Sequence, residues 1–256
     1  MVSGHTKTLS VLVLTEDSGA DAYDTVRALV KEMLKLLVPA VWTHRIDFKP
    51  LEDERARLAM RGTTWQSTNP LDEPARRLLI RSIITEILKP NGFVLYHIDG
   101  DVPWSQRKSS ANVREFLARM IPPIEAGVRS QLPAEAETRM KRLRLLVPFY
   151  SIEAWLYQHT REATRLCSEE GCGRCHSQLT DWEKNRASLD EVTQPKETTL
   201  CLKDKHNARL ASSGFPARDV YEAEASFART VDGLLECDEL TAALERTCAT
   251  SGTRSP

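Results

Sequence analysis

The sequence predicts an α/β fold in which a mostly parallel central sheet is flanked by helices. Short apolar runs at residues 9–14, 93–98 and 142–149 have the length and composition of buried strands. Segments with apolar residues at helical spacing separate these runs, and a strand-helix-strand order favours parallel pairing with helices covering the sheet. A cysteine-rich insertion and a helical C-terminal region follow the last strand.

The length of 256 residues allows one large domain or a domain with an appended unit. We divide the chain into an α/β core at 1–165 and a second part at 166–256, in which a cysteine-rich loop and C-terminal helices pack on the core. The formal charge of −1 gives no overall basic field, so any nucleic-acid site must be local. No apolar run approaches the roughly 20 residues that span a bilayer, and the N-terminus lacks the apolar region of a signal peptide. These features predict a cytoplasmic protein without a membrane partner.

The first part of the chain is predicted to form a strand, a helix and a second strand. The strand at 9–14 ends in acidic residues. Residues 21–37 carry apolar side chains at helical spacing, with acids early and lysines late, as the helix dipole favours. Residues 41–48 are predicted as the next strand, and a helix is predicted at 52–60 within the polar stretch that follows.

The central part of the chain is predicted to form a helix and the most apolar strand. Residues 73–88 follow a helical pattern that delivers the chain into the strand at 93–98, in which His97 is the one polar interruption. This strand stops abruptly at Asp99-Gly100-Asp101. A glycine between the two aspartates lets the backbone turn without a side chain in the way.

The last predicted strand leads into a helix that begins with an acidic residue. A helix at 109–119, a prolyl break and a second helical piece precede the strand at 142–149. Ser151 is a candidate N-cap, which would place Glu153 in the first turn of the next helix. Helices are also predicted near the C-terminus, at 221–235 and 239–248, whereas the stretch 182–199 is expected to be irregular.

Acidic residues therefore follow three predicted strands, at Glu16, at Asp99 and Asp101, and at Glu153. The carboxyl ends of parallel strands meet at one edge of a sheet, where ligands usually bind. Carboxylates at such an edge suit Mg²⁺ or Mn²⁺, which would support phosphoryl transfer. Two alternatives remain open. In the first, the Asp-Gly pair is a common solvated turn. In the second, Glu153 does no more than complement the helix dipole.

This order of acids resembles the TOPRIM fold, the metal-binding domain of topoisomerases, DnaG-type primases and overcoming-lysogenization-defect nucleases. The residues that carry the resemblance are Glu16, Asp99-Gly100-Asp101 and Ser151-Ile152-Glu153-Ala154-Trp155. The chain more closely resembles small stand-alone TOPRIM-like proteins of uncharacterised families linked to phage defence. The match covers residues 8–159. The glycine that usually follows the first-strand glutamate is Asp17 here.

The resemblance implies a function and a set of site residues. In those families the first-strand glutamate and the D-x-D form the metal site, which corresponds to Glu16, Asp99 and Asp101, with Glu153 as a candidate ligand of a second ion. It also implies a nuclease acting on DNA or RNA, a possible protein partner from a defence system, and catalysis by these four acids. Lys196 lies in a Pro-Lys pair that resembles an element of the same families, which makes it a candidate phosphate contact.

Downstream, the spacing Cys167-x4-Cys172-x2-Cys175-His176 suits a structural Zn²⁺ site. His176, Cys201 or His206 could each supply the fourth ligand. The alternative is a set of free surface thiols. The sequence also places Lys203 and Lys205 in a short basic run, which is either a solvated helix face or a contact for a phosphate backbone.

Three functions follow from these features. The first is a Mg²⁺-dependent phosphoryl-transfer enzyme, a nuclease with nucleic acid as its partner. The second is a catalytically degenerate TOPRIM-like module that binds a protein or a nucleic acid, and the change at Asp17 supports it. The third is a receiver-like signalling domain with a phospho-acceptor aspartate, which the chain's length and the D-x-D disfavour. The sequence contains neither a Walker A nor a G-x-G-x-x-G motif, and it leaves the oligomeric state open.

Overall fold

A computed structural model describes residues 9–17, 19, 21–103, 110–198, 201–212 and 214–248. Within these residues the chain forms one sheet of four strands: β1 (Leu9–Thr15), β2 (Ile46–Lys49), β3 (Gly92–His97) and β4 (Leu143–Leu146). The order across the sheet is β2-β1-β3-β4, and all three pairings are parallel. The prediction of an α/β fold with a parallel sheet is confirmed.

Helices connect and cover the strands. Those of the first two thirds of the chain are α1 (Ala22–Leu37), α2 (Glu54–Leu58), α3 (Gly62–Trp65), α4 (Glu73–Leu88), α5 (Ala111–Arg119), α6 (Ile121–Gln131), α7 (Ala136–Met140), α8 (Glu153–Leu156) and α9 (Thr160–Glu169). The remaining helices are α10 (His176–Lys184), α11 (Pro195–Thr198), α12 (Asn207–Leu210), α13 (Ala217–Glu222), α14 (Ser226–Leu235) and α15 (Asp238–Cys248). None of the described helices is both long and apolar enough to cross a bilayer.

Each face of the sheet packs on its own cluster of buried side chains. Successive strand side chains point to opposite faces, so Val11 and Val13 of β1 join one cluster while Leu12 and Leu14 join the other. The first cluster includes α1, α8 to α10 and α12 to α15, and the second includes α2 to α7. The division of the chain at residue 165 stays a prediction, although the first cluster contains buried residues from both sides of it.

The two edge strands are shorter than predicted. A 3₁₀ turn at Thr43–Arg45 occupies part of the strand predicted at 41–48, so β2 contains only the residues that pair with the start of β1. The strand predicted at 142–149 ends at Leu146. Beyond it, Pro148 has no N–H to donate, and its carbonyl accepts instead from the loop after β3.

Three further predictions are wrong in detail. Ser151 caps no helix, because α8 is a single turn that begins after Ile152 without a side-chain cap. Of the stretch 182–199, which is predicted to be irregular, residues 182–198 contain the end of α10, a 3₁₀ helix and α11, and residue 199 lies outside the described residues. The helix predicted at 221–235 is divided into α13 and α14, and Glu224 between them has a φ of 53° that a helix cannot contain.

The helix predicted at 109–119 corresponds to α5. Its first predicted residue, 109, lies outside the described residues.

Candidate functional site

Glu16 follows β1 at the carboxyl edge of the sheet, where its backbone N–H donates to the carbonyl of His97 in β3 (3.0 Å). Its carboxylate accepts hydrogen bonds from the backbone N–H groups of Gly62 and Asp99, both at 3.2 Å. The side-chain amide of Asn112 also donates to this carboxylate and to the carbonyl of Asp99, both at 2.9 Å. Residues of α3 and α5 thus hold Glu16 against the end of β3.

Asp99 lies one strand away from Glu16, and its side chain is 21% exposed. Its Oδ1 accepts a hydrogen bond from the backbone N–H of Ile152 (3.0 Å). The same oxygen lies 3.1 Å from Nε2 of the buried His97, but the ring N–H is not aligned as in a regular hydrogen bond, so this contact is mainly electrostatic. Nδ1 of the ring lies 3.1 Å from Oγ1 of Thr15. Asp99 is therefore fixed between β1 and the start of α8.

The carboxyl edge concentrates negative charge. Burial raises the pKa of Glu16, and repulsion by Asp99 adds to the shift. Burial also raises the pKa of Asp99 to about 6, with the charges of Asp17 and Glu153 in the same direction and His97 opposing them. Burial disfavours the charged form of His97, but the adjacent Asp99 outweighs this effect and raises the pKa of the imidazole. A cation bound here would relieve the repulsion between these acids.

Asp101 lies further out on the same edge. It is exposed, and its φ of 56° is in the left-handed region. Its N–H donates to the carbonyl of Tyr150 (2.9 Å). The preceding Gly100 approaches the chain after β4 so closely that a Cβ would lie 2.2 Å from a carbonyl oxygen, which explains the glycine at this position. Partial burial of its carboxyl raises the pKa of Asp101. That Asp101 binds the same ion as Glu16 and Asp99 stays a prediction.

Glu153 is the first residue of α8 and is only 8% exposed. Its Oε1 accepts a hydrogen bond from the side-chain amide of Asn207 (3.2 Å), the first residue of α12. Its charge also contributes to the raised pKa of Asp99. Glu153 therefore lies between the acidic edge and the C-terminal helices. It interacts with both of them, in addition to its position at the start of a helix.

The acids are not arranged as a closed set of ligands. A metal site of three or more His, Cys, Asp or Glu side chains needs their ligand atoms close together. Among the described residues, three cysteines have all their ligand atoms within 4.8 Å of one another, and no three carboxylates do. Glu16 and Asp99 are each directed toward N–H donors of the chain. The donor set still fits a hard divalent cation, because Mg²⁺ retains several waters and needs only one or two carboxylates.

A cleft of about 350 Å³ borders the acidic edge. Glu16 and Asp17 are among the residues that line this cleft, together with Arg57 and Arg61. Arg57 forms an ion pair with Glu54 (3.4 Å), whereas Arg61 is exposed. The cleft therefore places guanidinium groups beside the carboxylates, as a site for phosphate esters requires.

The three lysines predicted to contact substrate differ in their positions. Lys196 pairs with Asp204, and the charges of Glu153 and Asp17 contribute to its raised pKa, so it lies near the acidic edge. Lys205 pairs with Glu170 at 2.5 Å on the surface. Lys203 is exposed. Of the three, Lys196 is the one whose electrostatic environment includes the acids of the site.

The predicted zinc ligands are only partly together. The structure joins Cys167 and Cys201 in a disulfide, and Sγ of Cys175 lies 3.4 Å from Sγ of Cys201. These three residues are the buried cysteine trio, which could hold a metal such as zinc. Cys172 is half-buried, and His176 lies outside the trio with its Nε2 at 3.3 Å from a serine hydroxyl. Cys201 replaces His176 in the observed cluster.

Sequence reasoning missed several residues that shape the site. Gly62, Asn112 and Asn207 contact the acids from distant helices, and no local pattern marks them. His97 could have been found, because a polar residue inside an otherwise apolar strand needs a buried partner. Arg57 lies in the short helix α2 and Arg61 follows it, and this helix carries no motif.

No family model, no curated protein and no solved structure matches the chain. These comparisons therefore leave the resemblance to the TOPRIM fold as an expectation. Any function assigned to the chain depends on the geometry and electrostatics of the site itself.

Proposed function

We propose that the chain is a Mg²⁺-dependent phosphoryl-transfer enzyme, a nuclease that acts on DNA or RNA at a TOPRIM-like site. The observation that carries this proposal is the pairing of Glu16 with Asp99. The two acids follow neighbouring parallel strands, and both have raised pKa values. The Asn112 amide donates to the Glu16 carboxylate and to the backbone carbonyl of Asp99, which links the two strand ends. The resemblance to phage-defence families adds a defence role to the same proposal.

The residues of the site have distinct roles in this proposal. Glu16 and Asp99 would hold the cation, with Asp101 at its outer side. Mg²⁺ supplies Lewis-acid activation and charge stabilisation when it is bound. Burial and repulsion by Asp99 raise the pKa of Glu16, and a carboxyl that holds its proton more readily suits a role in proton transfer. Glu153 is the candidate ligand of a second ion.

Positive groups around the acids would orient the substrate. Arg61 in the cleft and Lys196 near the acids are the candidates for contacts with phosphate oxygens. His97 would keep Asp99 in place and limit the repulsion among the acids. These contacts are to phosphate and sugar, so they give no base specificity.

Cleavage of a panel of single- and double-stranded DNA and RNA tests the proposal. We expect cleavage that needs Mg²⁺ or Mn²⁺ and stops with EDTA. Asp99→Asn and Asp101→Asn should abolish it, because an amide keeps the size of the carboxylate but loses the charge that holds the cation. Glu16→Gln should reduce the rate by about a hundredfold or more.

Two further variants sharpen this experiment. Glu115→Gln changes an exposed acid of α5 that pairs with Arg119, and it should cut at the wild-type rate. Glu153→Gln distinguishes one ion from two, since a loss as deep as that of Asp99→Asn would indicate a second ion and a loss of a few-fold would not. A wild-type protein that never cuts in either metal, or an Asp99→Asn variant that cuts normally, would refute the nuclease.

The second candidate is an interaction module without catalysis. One observation favours it, because both oxygens of Glu16 already accept hydrogen bonds from the chain. In that case the acids would be structural, and nucleic acid or a protein partner would bind without being cut. Nucleic-acid binding that is unchanged by EDTA and by Asp99→Asn would support this candidate.

A further inference from the structure

The cysteine cluster joins three segments that are distant in sequence. Cys167 belongs to the last turns of α9, Cys175 directly precedes α10, and Cys201 precedes the 3₁₀ turn Asp204–His206. All three are nearly inaccessible, with exposed fractions of 0%, 3% and 3%. Their sulfur atoms lie within 4.8 Å of one another. A disulfide uses two sulfurs, and here a third lies within the same distance.

The loop between α9 and α10 carries a fourth cysteine, Cys172, which borders the trio without belonging to it. Gly171 ends α9 with a φ of 70°, and the N–H of Cys172 donates to the carbonyl of Cys167 (2.8 Å). The sulfur of Cys172 then accepts hydrogen bonds from the backbone N–H groups of Arg174 and Cys175 and contacts the thiol of Cys175. These contacts place the Cys172 sulfur beside that of Cys175, which belongs to the trio.

We propose that Cys167, Cys172, Cys175 and Cys201 bind one structural Zn²⁺ in place of the disulfide between Cys167 and Cys201. Tetrahedral Zn–S bonds of about 2.3 Å separate neighbouring sulfurs by about 3.8 Å, which is within the spread of the trio. Binding converts four thiols and one Zn²⁺ into a tetrathiolate complex and releases four protons. The two states exclude each other, because a disulfide sulfur is no longer a thiolate.

The spacing leaves His176, Cys201 and His206 open as the fourth ligand, and this set takes Cys201 and excludes His176. The adjacent positions of Cys175 and His176 make a shared ion awkward, and the His176 ring contacts the Ser168 hydroxyl at 3.3 Å instead. Four thiolates close the coordination shell, so no position is left for substrate. The site is therefore structural and separate from the acidic edge.

The metal would fix the chain segment that supports Glu153. Cys201 lies between Lys196, which is near the acids, and Asn207, which donates to Glu153 (3.2 Å). Anchoring Cys201 to α9 and α10 restrains both neighbours. The proposal does not depend on nuclease activity, because metal content and thiol number are measured without a substrate.

The test uses the full chain, purified without chelator or added thiol. Elemental analysis should find about one zinc per chain, and titration after denaturation in EDTA should find all six cysteines as thiols. Less than about a tenth of an equivalent of zinc, together with four thiols, would show the disulfide and overturn the proposal. Iron in place of zinc would also overturn it.

Variants identify the ligands. Cys172→Ser should lower the zinc content severalfold, and because this side chain is half-buried the fold should tolerate the change. His176→Ala and the control Cys248→Ser should keep about one zinc per chain. Zinc retained in Cys172→Ser but lost in His176→Ala would refute the four-thiolate set. Co²⁺ bound to the wild type should show the strong absorption of a tetrahedral thiolate site, and a spectrum typical of octahedral oxygen ligation would contradict it.

Discussion

Asp99 shows how a single residue at this edge reconciles burial with charge. Its Oδ1 accepts from the backbone N–H of Ile152, an interaction that an asparagine oxygen could also make. The carboxylate is nevertheless costly, because its pKa of about 6 means that the folded protein holds the proton more tightly than an ordinary aspartate with a pKa of 3.8. Ionisation of Asp99 therefore lowers the stability of the folded protein.

We predict that Asp99→Asn changes the pH dependence of stability. As the pH rises from 4 to 6 the unfolded chain ionises Asp99 while the folded chain resists, so the wild type loses unfolding free energy across this window. The loss is about 3 kcal/mol at most above pH 6 for a shift of about two units, and the variant avoids it. The raised pKa of His97 acts in the same direction, because its stabilisation is also lost as the pH rises.

Urea unfolding in EDTA at pH 4.5 and pH 7 measures this effect. The free energy of the variant relative to the wild type should increase between the two pH values. Glu115→Gln, the exposed control in α5, should give a curve parallel to that of the wild type. Parallel curves for Asp99→Asn as well would show that burial of this carboxyl carries no net cost.

Arg61 is the residue whose role in the cleft can be tested directly. If it contacts a phosphate, Arg61→Ala should weaken nucleic-acid binding severalfold and reduce the salt dependence of binding by about one phosphate contact. Arg77→Ala is a matched control, because Arg77 is an exposed arginine of α4 that pairs with Glu73. Fluorescence anisotropy over a range of salt concentrations measures both. Equal slopes for the two variants would remove Arg61 from the site.

At the scale of elements, short helices position the acids of the strand ends. Gly62 in α3 lies so close to Glu16 that a Cβ would be 2.6 Å from its Oε1. We predict that Gly62→Ala displaces the Glu16 carboxylate and lowers activity tenfold or more, while the free energy of unfolding changes by no more than about 1 kcal/mol. Gly233→Ala in α14 is the control, since a Cβ there meets only the Arg144 side chain at an ordinary 3.7 Å. Activity assays paired with urea unfolding decide the matter, and an active Gly62→Ala variant would contradict the role of α3.

The elements also show what the sequence could and could not predict. The helix at 73–88 forms with the predicted bounds, because its apolar spacing and its prolyl end are local signals. The edge strands β2 and β4 are shorter than predicted, because their lengths depend on which residues find a partner in β1 and β3. Pairing of this kind is decided by tertiary contacts rather than by propensity.

The same distinction applies to the site. Glu16 and Asp99 could be predicted because strand ends and parallel order place them on one edge. Asn112 and Asn207 could not, because each reaches an acid across dozens of residues from a helix with no distinctive pattern. Cys201 was an open alternative in the spacing, and only the packing of α9 and α10 brings it to the cluster.

At the scale of the whole molecule, the C-terminal helices complete the fold. Arg142, which precedes β4, is only 5% exposed, and its guanidinium donates to both carboxylate oxygens of Glu239 in α15 at 2.7 and 2.9 Å. It also donates to the carbonyl of Lys89 (2.7 Å) at the end of α4. This buried guanidinium therefore connects α15 to the start of β4 and to the end of α4.

Apolar contacts on one face of the sheet also join the C-terminal helices to the rest of the protein. Val30 and Leu34 of α1 and Trp155 of α8 belong to one cluster with Phe227 and Leu244 of the C-terminal helices. The rings of Trp155 and Phe227 meet edge to face at 5.6 Å, and the indole N–H of Trp155 donates to the hydroxyl of Ser226 at 2.7 Å. Removing the C-terminal helices would therefore expose apolar surface and leave buried polar groups unpaired.

We predict that a fragment of residues 1–165 does not fold on its own. Each large apolar side chain moved from the core into water costs roughly 1.5–3 kcal/mol, so exposing several of them exceeds the 5–15 kcal/mol by which domains are usually stable. The fragment should lack near-ultraviolet circular dichroism and unfold without a cooperative transition, whereas the full chain should show both. A fragment with a sharp urea transition would establish 1–165 as an independent domain, and the C-terminal helices would then be an appended unit rather than half of the core.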